Sequence, residues 1–271
     1  MTRRGFLFSA GALAFAQTAP SKAEIRGKKT IDDALAALGG NTFLTMMDRT
    51  ESGRAYSYYR DQISGLSVAK IYTRYLTVAP AKSGEELGQK EKEVFGKTED
   101  TSVLFLENEG WDISWRGSKQ MEQDRFDRYR ESTLRNVLYI FRQRLEEPGM
   151  IFEFQGSDVI ENLPVDIVDI TDSQNRVVRV QFHQSTKLPV RQTYKRKNAV
   201  TKEQDEEVTL FTRYFDAGGV QWPHQIHRER NGDKTYEIFS ESVKINKDVA
   251  DNFFAAPEPG MVKPSAKPKK K

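Results

Sequence analysis

Residues 163–194 read LPVDIVDITDSQNRVVRVQFHQSTKLPVRQTY, and three segments of this stretch are rich in β-branched and aromatic residues. The segments cover 165–170, 177–182 and 190–194, and short polar stretches separate them. Runs of this length and composition between turn residues predict β-strands. Because the connections are too short for a crossover, we expect neighbouring strands to pair antiparallel.

The same pattern continues on both sides of this stretch. Further strands are predicted at 56–60, 66–78, 103–106, 111–115, 150–155, 208–215, 225–230 and 235–243. Glu109-Gly110 lies between the third and fourth of these as the turn of a hairpin. No strand alternates with a helix, as a parallel sheet would require. The predicted fold class is therefore α+β, mainly β, built on an antiparallel meander.

Two helices are predicted to accompany the sheet. The first covers 30–48, with its N-cap at the first residue and an interruption at Gly39-Gly40, and it follows a basic linker at 24–29. The second covers 122–147, where apolar residues recur at spacings of three and four. A sheet with one apolar face needs a cover, and this stripe supplies it. Residues 80–100 are polar and predict a loop with at most a short helical turn.

The formal net charge of +3 is unevenly distributed along the chain. Three basic residues precede residue 24 and five lysines follow Val262, so residues 24–261 carry a net charge of −5. A folded region of that sign is a poor nucleic-acid binder. The sequence contains no cysteine. It therefore has no disulfide bonds, and it lacks the cysteine that is acylated in lipoproteins.

The first 23 residues are predicted to be an export signal. Arg3-Arg4 precedes a short apolar run, and both Ala14-Phe15-Ala16 and Ser21-Lys22-Ala23 are small-x-small cleavage sites. The paired arginines suit the twin-arginine route as well as the general secretory route. We therefore expect a periplasmic protein with a single domain at 24–257 and a disordered basic tail at 258–271.

The sequence shows no motif for catalysis or metal binding. His224 and His227 are three residues apart, and in a strand this spacing places them on opposite faces. There is no H-E-x-x-H helix, no G-x-S-x-G and no glycine-rich phosphate loop. We expect neither an enzyme nor a metal or cofactor site. A hydrolase built on paired carboxylates or on His183 stays open, because such pairs have no local signature.

Two blocks of the chain resemble the LolA-type lipoprotein carrier superfamily, the periplasmic proteins of outer-membrane lipoprotein sorting. The first block looks like the family's strand–turn–strand unit with its "thgLP" element, and it comprises 163–170, 177–182 and 187–194. The second is similar to the family's closing run of G-hydrophobic-x-x-P, V-x-x-N and F-x-x-P, and it comprises 218–223, 234–243, 245–246 and 251–257. The resemblance covers about residues 100–257. It implies an open, strongly curved antiparallel sheet, or half barrel, with helices covering its concave apolar face.

The resemblance also implies a function. It points to a carrier or binding protein that holds a lipid or a lipoprotein acyl chain non-covalently in an apolar cavity between sheet and helices. The side chains expected to line that cavity are Phe126, Tyr129, Val137, Phe141, Phe152, Phe154, Val178, Val180 and Phe182. From the residues alone the same side chains also suit a closed core, and the protein is then a structural or protein-interaction module.

The basic tail has two interpretations. Its lysines either contact anionic membrane surfaces, at ~1 kcal/mol each at most, or only solubilise the chain. They are Lys263, Lys267, Lys269, Lys270 and Lys271.

Overall fold

The computed structural model describes residues 19–198 and 201–258. Within these residues, thirteen strands form one antiparallel sheet. In chain order the strands are β1 Asp48–Tyr59, β2 Gln62–Tyr75, β3 Gln89–Phe95, β4 Thr101–Phe105, β5 Gly110–Ser114, β6 Gly117–Gln120, β7 Ile151–Ile160, β8 Leu163–Thr171, β9 Val177–His183, β10 Pro189–Lys197, β11 Gln204–Asp216, β12 Gln221–Arg230 and β13 Asp233–Ile245.

The sheet is a meander with one long-range junction. Its strand order is β6-β5-β4-β3-β2-β1-β13-β12-β11-β10-β9-β8-β7. Neighbours in the sheet are neighbours in sequence except where β1 pairs with β13, which joins the two halves of the chain. The edges β6 and β7 do not pair with each other, so the sheet is open. The predicted fold class, mainly β with an open, curved antiparallel sheet accompanied by helices, is confirmed.

Three two-residue turns explain why strands pair with their sequence neighbours. Both turn residues have positive φ in Arg60-Asp61 (49° and 59°), Glu161-Asn162 (51° and 64°) and Asn231-Gly232 (52° and 88°). This is the backbone of a type I′ turn, whose twist matches that of an antiparallel hairpin. Asparagine and glycine adopt it most easily. The turn at 231–232 is therefore the one that the sequence indicates most clearly.

Helices cover one face of the sheet, which we call the concave face. They are α1 Lys22–Leu38, α2 Asn41–Thr45, α3 Gln123–Leu134 and α4 Val137–Gln143, and short 3₁₀ turns occur at Pro80–Lys82 and Asp251–Phe254. None of the helices in the described ranges has the length and apolar character needed to cross a bilayer.

α1 lies directly on β7. Ile31, Ala34 and Leu38 form its buried stripe. At Gly27 a Cβ atom would come within 2.3 Å of the carbonyl oxygen of Phe152, so glycine is what allows the helix backbone to rest on the strand. The helix begins with a capping box, in which the hydroxyl of Ser21 accepts from the backbone N–H of Glu24 and the Glu24 carboxylate accepts in return.

Three apolar clusters hold the layers together. The main core packs α1, α2 and α4 against strands of the concave face, with Phe43, Phe141 and Phe211 fully buried. A second cluster packs α3 against β4. A third lies on the opposite face, where Phe254 of the C-terminal 3₁₀ turn covers Leu104. Burial of these side chains is the main source of stability in a chain without disulfides.

The predicted helix boundaries are wrong in three places. Residues 24–29, predicted as a linker, belong to α1, and the segment predicted as one helix over 30–48 ends at Thr45 before β1 begins. The helix predicted over 122–147 is two helices. Asn136 separates them, because its side chain accepts from the backbone N–H of Leu138 at 2.9 Å and so starts a new helix.

The predicted loop over 80–100 is also wrong in part. It contains β3, which pairs with β2 and β4 along its length. The sequence of β3, QKEKEVF, has charged residues on both faces, so it lacks the alternation of apolar and polar residues by which strands are recognised. The short edge strand β6 was missed for the same reason.

Some predictions fall on the ends of the chain. Of the predicted export signal 1–23, only residues 19–23 are described, and Lys22 and Ala23 already belong to α1. The five tail lysines lie outside the described residues.

Candidate functional site

A cavity of about 440 Å³ lies between the concave face and α3. Strands β1 to β4 form one wall, β10 to β13 form the other, and α3 with the start of α4 lies across them. The aromatic and aliphatic side chains that line it are Ile71, Tyr75, Phe105, Tyr129, Leu138, Tyr139, Tyr194, Val208, Trp222, Ile226, Tyr236 and Ile238. The charged ones are Arg49, Glu51, Arg125, Arg128, Glu91, Glu93, Arg196, Glu207, Arg228 and Arg230. The lining is therefore amphipathic.

Side chains alternate between the two faces of a strand, and this alternation places the charges of β1 and β3 in the cavity. Arg49 of β1 is paired with Thr73 of β2, which is paired with Glu91 of β3. Two residues along, Glu51 is paired with Ile71 and Ile71 with Glu93. Side chains at i and i+2 share a face, so both rows point to the concave side.

Two tyrosines connect the helices to the wall of the cavity. The ring of Tyr129 on α3 stacks on Phe105 of β4, with centroids 3.6 Å apart and planes at 5°. Its hydroxyl accepts a hydrogen bond from the side-chain amide of Gln89 at 3.0 Å. The hydroxyl of Tyr139 on α4 accepts from the backbone N–H of Gly88 at 2.6 Å. Burial raises the pKa of Tyr139 to about 12, so this hydroxyl stays protonated at neutral pH.

Arg49 is the buried charge at the floor of the cavity. Its Nε lies 2.7 Å from a carboxylate oxygen of Glu51, and its two terminal nitrogens donate to the hydroxyls of Tyr75 and Thr73, both at 2.9 Å. The guanidinium also stacks on Trp222, 4.1 Å from the ring centroid. A buried charge with this many partners holds the strands and aromatic rings around it in one arrangement.

Glu93 is less well compensated than the other acids of the floor. No ion pair is found for it among the described residues, whereas Glu91 lies 3.8 Å from Arg49. Burial, with a second contribution from neighbouring Glu91, raises the pKa of Glu93 to about 7. Close to neutral pH this carboxyl is therefore protonated for a large part of the time.

Five arginines lie on the solvent side of the cavity, and we call them the rim: Arg125, Arg128, Arg196, Arg228 and Arg230. Three of them have acidic partners. Arg125 binds Asp112 at 2.7 Å, and Arg196 and Arg230 both bind Glu207 at 2.8 Å. In the part of the chain that the structure describes, Arg128 and Arg228 form no ion pair. The rim therefore carries uncompensated positive charge.

Comparison with known proteins now shows what this architecture is similar to. No protein-family model and no curated protein matches the sequence. Solved structures do match the fold. A DUF1329 family protein from Desulfovibrio piger superposes with a TM-score of 0.57 at 16% identity, over 84% of this chain and 97% of that chain.

Two further structures match over nearly the same length. One is a domain assigned to outer membrane lipoprotein sorting from Vibrio parahaemolyticus, with a TM-score of 0.54 and 11% identity over 84% of this chain and 97% of that chain. The other is a LolA superfamily protein from Nitrosomonas europaea, with a TM-score of 0.50 and 11% identity over 85% and 97%. This chain has a LolA-like fold. The resemblance recognised in the sequence is confirmed at the level of the fold.

The main core contains most of the residues that were predicted to line a ligand cavity. Six of the nine lie together in the main core and are at most 8% exposed, namely Val137, Phe141, Phe152, Val178, Val180 and Phe182. Phe154 packs at the margin of this core beneath the guanidinium of Arg26. Phe126 is buried in the second cluster. Only Tyr129 lines the 440 Å³ cavity, and ligand binding by all nine stays a prediction.

The three histidines lie apart from the cavity. His183 accepts from the backbone N–H of Thr186, His224 contacts the carbonyl oxygen of Ser240, and His227 contacts Glu229 at 2.9 Å. No group of three or more histidine, cysteine, aspartate or glutamate side chains within residues 19–198 and 201–258 is arranged to hold a metal ion.

The cavity-lining role of the charged residues in β1 and β3 was not predicted from the sequence. A signal for them was present, because glutamates at 91 and 93 and the pair Arg49 and Glu51 have the spacing of one strand face. Charged alternation of this kind is also typical of solvated loops. Only the pairing of β3 with β2 shows that the glutamates face inward.

Proposed function

We propose that this LolA-like protein is a periplasmic carrier or binding protein for a lipid or a lipoprotein acyl chain. The acyl chain is held non-covalently between the concave face and α3, and its transport requires no catalytic group. The observation that carries the proposal is the cavity itself. Its volume of about 440 Å³ lies within the ~300–1,000 Å³ typical of ligand pockets.

The aromatic and aliphatic part of the lining supplies the affinity. Each methylene group moved from water to an apolar wall contributes ~0.8 kcal/mol, so an acyl chain that enters only part of the way still binds. Tyr75, Leu138 and Ile238 belong to such a wall, and all three are buried among neighbouring side chains. The shared fold with the Vibrio lipoprotein-sorting domain and with the Nitrosomonas LolA superfamily protein supports the same proposal.

Export is part of this proposal. Residues 1–23 act as the export signal, by the twin-arginine or the general secretory route, and place the domain in the periplasm. The lysines at 263, 267, 269, 270 and 271 then add contacts with anionic membrane surfaces, where the lipid is collected or delivered.

A second function is favoured by one observation. The six predicted lining residues that pack in the main core leave it filled, as in a structural or protein-interaction module. Such a module uses its sheet edges rather than a ligand, and among the described residues β7 has no strand partner on its outer side. This alternative predicts that the 440 Å³ cavity holds only water.

A substitution that fills the cavity distinguishes the carrier from the interaction module. Ser132 is a half-buried residue of α3 that lines the cavity, and Ser132→Trp adds a large side chain there. We expect this change to weaken binding of a dansyl-labelled fatty acid by ~10-fold or more, measured by fluorescence titration, because the acyl chain loses its space. The matched control is Arg130→Trp, an exposed position of the same helix outside the cavity.

The carrier proposal predicts that wild type and Arg130→Trp bind the probe equally well. Equal binding by Ser132→Trp would mean that the probe binds elsewhere, and absence of binding by the wild type would favour the interaction module.

A further inference from the structure

We propose that Arg128 of α3 and Arg228 of β12 form the binding site for the anionic headgroup of the carried lipid, an oxyanion such as a phosphate. This inference rests on the proposed carrier function and specifies its substrate class as anionic amphiphiles. Both arginines line the cavity, Arg128 from α3, which lies across it, and Arg228 from the wall formed by β10 to β13.

The polarity of the lining changes between the interior of the cavity and its opening. The deep residues Tyr75, Leu138 and Trp222 are buried, whereas Arg128 and Arg228 are exposed. A cavity whose interior holds aromatic side chains beside the paired charges of its floor, and whose rim is cationic, matches an amphiphile whose acyl part lies inside and whose anionic part stays at the opening. A bare hydrocarbon or a neutral headgroup offers no anionic partner to Arg128 and Arg228.

The other three rim arginines already have acidic partners. Asp112 compensates Arg125, and Glu207 is shared by Arg196 and Arg230. The electrostatic fields of Glu91 and Glu93 reach Arg228, but neither acid forms an ion pair with it among the described residues, and Glu91 lies 3.8 Å from Arg49 instead. Arg128 and Arg228 therefore retain their charge for a ligand. Guanidinium groups match oxyanions well because their N–H donors form paired hydrogen bonds.

A buried hydrogen-bond donor, the indole N–H of Trp222, lies farther inside the cavity. Trp222 is 3% exposed and lines the cavity, and its indole N–H has no acceptor within the described residues. A buried donor without an acceptor costs free energy, and a ligand oxygen removes that cost. The occupant then carries an acceptor behind its headgroup, as an ester- or amide-linked acyl chain does. A free phosphate ion reaches only the rim.

The test compares soluble short-chain lipids that differ only in the headgroup. Binding of dihexanoyl phosphatidylglycerol, dihexanoyl phosphatidylcholine and inorganic phosphate is measured by isothermal titration calorimetry. Both lipids carry a phosphate, but in the zwitterionic lipid the choline ammonium compensates its charge. We therefore expect the anionic lipid to bind ~10-fold more tightly, and this preference to weaken as the salt concentration rises. Inorganic phosphate is expected to bind at least ~10-fold more weakly than the anionic lipid, because it lacks the acyl contacts.

The variant Arg128→Gln/Arg228→Gln is expected to bind both lipids alike, at the level of wild type with the zwitterionic lipid. The control Arg54→Gln/Arg130→Gln removes two exposed arginines that do not line the cavity and is expected to keep the preference. Because all four side chains are exposed, each double variant should keep the thermal midpoint of the wild type, which is checked first.

Each other outcome overturns a distinct claim. Equal binding of the two lipids to the wild type refutes the headgroup site and leaves the carrier function standing. A preference that persists in Arg128→Gln/Arg228→Gln refutes the assignment to these residues. Phosphate that binds as tightly as the anionic lipid identifies a site for a free anion. No binding of either lipid refutes the carrier function and this inference with it.

Discussion

At the scale of single residues, Arg144 is a buried charge that connects two helices to a turn of the sheet. Its side chain is 1% exposed and contacts Glu147 at 2.7 Å and Asp172 at 2.9 Å, and it also donates to the carbonyl oxygen of Leu134. It therefore ties the ends of α3 and α4 to the turn between β8 and β9. Removing one member of a buried ion network leaves the others unpaired in a medium of low polarity.

We accordingly predict that Arg144→Met lowers the free energy of unfolding by about 3–5 kcal/mol, measured by urea denaturation. The control is Arg54→Met, which breaks the ion pair with Glu241, where both side chains are more than half exposed. That change should cost ~1 kcal/mol or less, because solvent screens the pair. Similar losses for the two variants would contradict a structural role for the Arg144 network.

Glu93 gives a prediction about pH. Its pKa is raised to about 7 in the folded protein, chiefly by burial, from a value near 4.5 in the unfolded chain. Between these values the folded state holds the proton more tightly, so stability falls as the pH rises from about 4.5 to 7 and then levels off. Glu93→Gln should therefore be more stable than wild type at pH 8, by about 1–3 kcal/mol, and equally stable at pH 4. Urea titrations at both pH values measure this difference.

An exposed acid supplies the control for this pH effect. Glu86→Gln should change the stability by no more than ~0.5 kcal/mol at either pH, because its side chain is half exposed and contacts Lys82 at the surface. If Glu93→Gln stabilises the protein equally at pH 4 and pH 8, the burial of a charged carboxylate is not the cause.

At the scale of elements, the start of α1 bears on where the proposed export signal ends. Cleavage after Ala23 would remove Ser21, the N-cap whose hydroxyl accepts from Glu24, whereas cleavage after Ala16 leaves the capping box complete. Loss of such a cap costs ~1 kcal/mol. We predict that the mature protein begins at Gln17, which intact-mass measurement on periplasmic protein determines. A mature chain that begins at Glu24 would show that the capping box plays no part in the exported protein.

Elements were predictable from the sequence where local signals were strong. The seven strands from β7 to β13 follow from alternating or continuous apolar residues between turns such as Asn231-Gly232. The interruption of the first predicted helix at Gly39-Gly40 is also visible, because paired glycines are a strong local signal. The split between α3 and α4 was not predictable, because Asn136 sits within an apolar stripe and a single capping residue looks like an ordinary helix position.

At the scale of the whole molecule, the antiparallel sheet was predictable but the cavity was not. Short connections determine that neighbours in sequence pair, yet nothing local indicates that β1 pairs with β13 and brings Arg49 opposite Trp222. The apolar residues chosen from sequence patterns pack in the main core, since the most strongly apolar positions are also the easiest to bury. The cavity walls came from strands with mixed polarity, whose inward face only the assembled sheet defines.

The central claim is that the space between the concave face and α3 holds an acyl chain, and native mass spectrometry tests it directly. Protein purified without detergent from its own periplasm should show a mass above that of the mature polypeptide. Extraction with organic solvent should remove the excess and release a lipid. A mass equal to that of the polypeptide alone, with the fold intact, would contradict the claim.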